Sequence, residues 1–109
     1  MAAQATVDQW IPEIVDRLVR EFDPVKIVLF GSHARGDASE YSDLDLLVVL
    51  AELTPKRREV FAVRDAIGDV PLSTDVVVTS PEEIARRGDL VGTVLRPALR
   101  EGRVLYERG

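Results

Sequence analysis

Seven residues, Leu44 to Leu50, hold six aliphatic side chains and one carboxylate, Asp45. A run that short and that apolar is a buried strand, and it obliges the chain to build a sheet around it. Two similar runs supply neighbours. Val25 to Phe30 is mostly β-branched or aromatic and ends at Gly31-Ser32, and Thr74 to Thr79 encloses Val76, Val77 and Val78. Between and around these runs the spacing turns helical. Val7, Trp10, Ile11, Ile14, Val15, Leu18 and Phe22 form one apolar stripe, and Pro12 favours a helix start nearer Asp8 to Ile11 than Thr6. Ala34 to Ser42 is polar and reads as a partial helical turn and a loop. Thr54-Pro55 opens a helix whose core face is Val60, Val63 and Ile67 and which Gly68 ends. Ser80-Pro81-Glu82-Glu83 is a capping box starting a short helix to Arg87, stopped by Gly88. Leu90 to Glu101 is a further helix disturbed by Pro97, and Gly102 releases a last strand, Val104 to Tyr106. The order α-β-(turn)-β-α-β-α-α-β predicts an α/β (α+β) fold, about four strands in a mixed sheet backed by helices.

The 109 residues are expected to form a single domain, 1–109, with enough core to fold unaided. Without cysteine there are no disulfides, thiolate zinc sites or cysteine nucleophiles. No apolar run approaches the roughly 20 residues of a membrane span, and the first ten residues lack a signal-peptide pattern, so the expected location is the cytoplasm. A net charge of −5 argues against gripping nucleic acid by bulk electrostatics. Acids gathered at one site, however, suit a polyphosphate ligand if a divalent metal lies between them.

Three carboxylates interrupt the strands. Asp43 and Asp45, separated by Leu44, share one face of a strand by its period of two, and Asp75 stands at the start of the next. Acids on one face repel, and a cation relieves the repulsion; oxygen-only ligands favour Mg²⁺ or Mn²⁺ over zinc. Before them comes a phosphate-binding turn. Gly31 permits close backbone approach, Ser32 offers a hydroxyl and an amide, and Arg35 carries a planar fork suited to phosphate oxygens.

The spacing Gly31-Ser32, ten residues, Asp43-Leu44-Asp45 resembles the polymerase-beta-like nucleotidyltransferase superfamily. The fuller run Gly31-Ser32-His33-Ala34-Arg35-Gly36 with Ser42-Asp43-Leu44-Asp45-Leu46-Leu47-Val48 resembles its minimal nucleotidyltransferase branch, the antitoxins of that type, and the likeness covers essentially the whole chain. The resemblance implies that fold and a metal-dependent transfer of AMP from ATP to a hydroxyl, releasing pyrophosphate. It implies two Mg²⁺ ions held by Asp43 and Asp45, with Asp75 joining one of them and helping to deprotonate the acceptor. Gly31, Ser32 and Arg35 would then bind the nucleotide. It further implies a HEPN-domain toxin as partner, neutralised by adenylylation of a tyrosine. The chain ends soon after its last strand, so the acceptor surface is expected from another molecule, a protein rather than a nucleic acid. The same fold acting as a non-catalytic toxin-binding module, or on a small molecule such as an aminoglycoside, is the alternative. Base preference and oligomeric state stay open.

Plainer readings stand beside these. Asp43 and Asp45 could be strand-start residues at a solvated turn, and Asp69 lies near enough to compete with Asp75 for the third place. Arg35 serves either phosphate or a surface pair with Asp37 or Glu40. His33, the one histidine, reads as a variable turn residue. Lys56, Arg57 and Arg58 read as a solvated face, Arg86-Arg87 as a favourable helix end, Trp10 and Phe22 as core, and Tyr41 as a loop tyrosine.

Overall fold

A computed structural model of the protein describes residues 2–38, 42–53, 56–87, 98 and 100–108. The chain alternates helix and strand: α1 (Ala2–Phe22), β1 (Lys26–Phe30), α2 (Ser32–Arg35), β2 (Leu44–Val49), α3 (Lys56–Ile67), β3 (Thr74–Thr79), α4 (Pro81–Arg87) and β4 (Arg103–Glu107). The strands form one sheet in the order β3-β2-β1-β4. β1 runs antiparallel to both β2 and β4, whereas β2 and β3 run parallel, with α3 as their crossover. The sheet is therefore mixed and backed by helices, as the sequence predicts.

Both faces of β2 are covered, which accounts for its composition. On one side Leu44, Leu46 and Val48 join Ile27, Leu29, Val76 and Val78 beneath α1 (Ile14, Leu18) and α3 (Val63, Ile67). On the other, Leu47 and Val49 pack with Val28 and Ala98, with Phe30, Val77 and Ile84 of α4 at the margin. Trp10 and Phe22 pack partly buried against the first cluster. At roughly 1.5–3 kcal/mol for each fully buried aliphatic side chain, this two-sided burial is the main stabilising term, and it can offset a few unfavourable polar placements at the sheet end.

Several boundaries differ from expectation: β1 starts at Lys26 rather than Val25, and β2 ends at Val49 rather than Leu50. α1 begins at Ala2 and carries Pro12 inside it rather than near its start. Proline there lacks the N–H that would bond four residues back, but its ring is exposed, and the buried Ile14 and Leu18 hold the turns that follow. The helical turn expected between Ala34 and Ser42 is α2, which starts earlier, at Ser32. β4 extends one residue further at each end than Val104 to Tyr106.

Helix ends follow the sequence signals. Gly68 ends α3, its N–H donating to the Arg64 carbonyl. The Ser80 hydroxyl accepts from the Glu83 N–H at 3.2 Å, and the Glu83 carboxylate accepts from the Thr79 hydroxyl at 3.0 Å. Arg17 of α1 ties down the end of α3, donating to the Ile67 carbonyl at 2.7 Å and to Asp69 at 2.9 Å, with Glu13 at 2.8 Å. Tyr41, Glu40, Thr54, Pro55, Gly88 and the expected helix from Leu90 through Pro97 lie outside the described residues, as do the side chains of Val7, Lys56, Arg57, Arg58 and Arg87. Residues 98, 100 and 101 are helical, and the Gly102 N–H donates to the Ala98 carbonyl. Among the described residues no helix is long and apolar enough to cross a membrane.

Candidate active site

Strand direction brings the predicted residues to one end of the sheet. β1 is antiparallel to β2, so the end of β1 lies beside the start of β2, and Phe30 is the register partner of Asp45. β3 is parallel to β2, so both strands start at the same end: Leu44 pairs with Thr74, and Asp45 with Asp75. Adjacent strands lie about 4.8 Å apart, which makes Asp45 and Asp75 direct neighbours on the same face. Asp43 precedes the strand, two residues before Asp45. Asp45 is half-buried, while Asp43 and Asp75 are exposed.

The turn after β1 closes over this pair. Gly31 has φ +75° and ψ −157°, a conformation that is almost exclusively glycine's. A Cβ added there would lie 2.1 Å from Asp45 Oδ2, so the Asp45 carboxylate occupies the space any side chain at 31 would need. Ser32 follows as the first residue of α2, whose opening amides have no acceptor within the helix. The N–H groups of Gly36 and Asp37 both donate to the Ser32 carbonyl and fold the turn back on itself.

Charge at this end is only partly compensated. Burial pushes the Asp45 carboxyl above the ordinary carboxylate range, and the charges of Asp75 and Asp43 push it the same way; His33 and Arg35 act in the opposite sense. Arg35 is paired with Asp37 at 3.3 Å, one of its two expected partners. Asp69 is removed from contention as the third acid. Arg17 hydrogen-bonds it and holds it below the usual carboxylate range.

Two neighbours escape sequence reasoning. Arg64 of α3 approaches Asp75 at 3.9 Å, although its place on an exposed helical face gives no hint of this. His33, read as a variable turn residue, is 4% exposed, and its Nε2 lies 3.2 Å from the Ser42 carbonyl. Its one sequence signal is being a lone histidine between Ser32 and Ala34.

Among the described residues, no three His, Cys, Asp or Glu side chains are grouped so that they could hold a metal ion between them. The donor set nevertheless fits a hard divalent cation. It is all carboxylate, it repels itself, and its open side can take remaining ligands from water or phosphate oxygens.

Comparison with known proteins bears on the family of the chain. A family model described as a nucleotidyltransferase domain matches residues 11–100. A candidate protein adenylyltransferase of Methanocaldococcus jannaschii is 50% identical over 50 residues, which is 44% of this chain and 33% of that protein. A bifunctional uridylyltransferase/uridylyl-removing enzyme of Methylococcus capsulatus is 31% identical over 104 residues, 93% of this chain but 12% of the enzyme. The chain thus matches no more than a third of the length of these two relatives. Among solved structures, a candidate nucleotidyltransferase from Sulfolobus solfataricus superposes with TM-score 0.68 at 21% identity, covering 99% of this chain and 89% of that one. A toxin-antitoxin structure with AMP-PNP superposes with TM-score 0.52 at 22% identity, covering 88% and 73%. At those identities the likeness is one of fold.

Two outcomes follow from the geometry. Gly31→Ala combines a backbone penalty of about 1–3 kcal/mol with displacement of the Asp45 carboxylate, and a thermal melt should show the loss. Asp45→Asn should instead stabilise the chain. Because folding raises the Asp45 pKa, its contribution is fully present below the unfolded value and is lost as pH rises through the folded one. The variant's melting temperature should exceed wild type at neutral pH, the difference vanishing below about pH 4.

Proposed function

We propose a function from one premise: this chain belongs to the nucleotidyltransferase-domain family. The reading supported best is transfer of AMP from ATP to a hydroxyl of a partner protein, in the cytoplasm, with Asp43, Asp45 and Asp75 as the catalytic acids. The observation that carries it is the Asp45–Asp75 register pair, with Gly31 opened to admit the Asp45 carboxylate.

In this reading Gly31, Ser32 and Arg35 hold the triphosphate, the turn amides and hydroxyl donating to the β- and γ-phosphate oxygens. Asp43 and Asp45 would hold divalent metal, Mg²⁺ or Mn²⁺, with Asp75 joining them; when bound, the metal supplies charge neutralisation on the attacking and leaving oxygens. Asp75 accepts the proton of the acceptor hydroxyl. That oxygen forms a bond to the α-phosphorus as the bond to pyrophosphate breaks, giving the AMP ester and free pyrophosphate. Little else is required of the protein, since catalysis of this kind is mostly alignment and electrostatics.

A protein acceptor is supported by the name of the Methanocaldococcus relative. A toxin partner is supported by the neighbour solved as a toxin-antitoxin with AMP-PNP, and we take that partner to be a HEPN-domain protein. A second donor is favoured by a separate observation: the likeness to a uridylyltransferase runs along 93% of this chain.

The test mixes the protein, Mg²⁺ and a HEPN-domain protein encoded beside it with α-labelled ATP or UTP. Label should pass from ATP to the partner, require the metal, and fall about 100-fold or more with Asp45→Asn. Label from UTP alone would change the nucleotide, and a partner left unlabelled by either would refute transfer to it.

A further inference from the structure

His33 is buried where a small chain gains most from an apolar residue. It is 4% exposed, and its Nδ1 has no hydrogen-bond partner. A buried ring nitrogen left without a partner is destabilising, so stability alone would favour leucine or phenylalanine at this position. The compensating feature is the other ring nitrogen, 3.2 Å from the carbonyl oxygen of Ser42. A carbonyl can only accept, so in this bond Nε2 is the donor and carries a proton.

The place of that bond matters. Ser42 immediately precedes Asp43, which lies before the ladder of β2 begins and is exposed, so no strand pairing fixes it. Its neighbours are held instead: the Leu44 N–H donates to the Ser73 carbonyl at 2.8 Å, and the Ser42 carbonyl accepts from His33. Asp43 is thus suspended between two backbone anchors. One lies on the approach to β3, which carries Asp75; the other is the residue after Ser32.

We propose that His33 is a positioning residue, its Nε2–Ser42 hydrogen bond setting the backbone of Asp43 against the Gly31-Ser32 turn. The catalytic consequence rests on the transferase reading above, while the structural tie does not. The hydrogen bond makes one rigid unit of the turn that would hold phosphate and the strand start that would hold metal. Loss of such a tie loosens an acid by a fraction of an ångström to an ångström, a scale at which aligned chemistry loses about tenfold to a hundredfold. Phosphate binding at Ser32, on the same short helix, is retained.

The experiment compares wild type, His33→Leu and His33→Gln, the glutamine amide restoring a donor toward Ser42. In the nucleotide-free chain, amide hydrogen exchange of Leu44 should quicken about tenfold in the leucine variant and return toward wild type in the glutamine one. In AMP transfer, the leucine variant should lose at least about tenfold in kcat with KM for ATP within about twofold, and glutamine should recover part of it. Its melting temperature should be no lower than wild type. Wild-type exchange together with wild-type kcat in the leucine variant would overturn the proposal. So would a nitrogen-15 spectrum of the wild-type ring with no proton on Nε2, a reading that needs no variant to fold. An inactive wild type whose exchange still responds to His33→Leu would refute the transferase reading and leave the tie standing.

Discussion

The hydrogen-bond ladders on either side of β2 are what everything else depends on. One ladder is antiparallel and the other parallel, and that difference in direction brings the end of β1 and the starts of β2 and β3 to the same edge of the molecule. Asp45 then has Phe30 on one side and Asp75 on the other without any special loop. Further along the same strand, Leu46, Leu47, Val48 and Val49 are fully or almost fully buried. The burial of those residues offsets the repulsion where the strand begins. Stability and chemistry are thus divided along a single strand of six residues.

Gly31 joins the two halves. Its backbone takes a conformation other residues resist, and the space left by its missing side chain is filled by a carboxylate oxygen. The turn that would meet phosphate and the acid that would meet metal are therefore in direct contact, so a change at either is felt at the other. His33 adds a second connection one helical residue further on, through the backbone before Asp43.

How much of this was legible beforehand depended on the kind of signal. The sheet could be read because its strands are dense aliphatic runs bounded by glycine, proline and acids; Thr74 to Thr79 matches residue for residue. Strand period predicts a shared face for Asp43 and Asp45, but Asp43 lies before β2, so the period does not reach it. The Asp45–Asp75 pairing could not be read either, because register and direction between strands are long-range properties. Pro12 misled the start of α1, since tertiary packing of Ile14 and Leu18 outweighs a local proline penalty. Asp69 and Asp75 looked alike in sequence; the pairing of Asp75 with Asp45 and the contact of Asp69 with Arg17 separate them. Burial of His33 had no periodic pattern to betray it, and the approach of Arg64 to Asp75 depends on how α3 packs on β3. The roles of Gly31, Ser32 and Arg35 toward nucleotide came from resemblance to a family. The fold places Gly31 against the Asp45 carboxylate, while Arg35 pairs with Asp37.

The central claim is that Asp45 is a carboxylate held beside like charges, with the binding of a cation there as the proposal built on it. The most direct measurement is a carbon-13 NMR titration of the aspartate carboxyls with and without Mg²⁺. Asp45 should titrate above the ordinary carboxylate range in metal-free buffer and shift downward as Mg²⁺ is added, more so with a non-hydrolysable ATP analogue present. An Asp45 that titrates like an isolated aspartate, and at the same pH whatever the metal concentration, would contradict it.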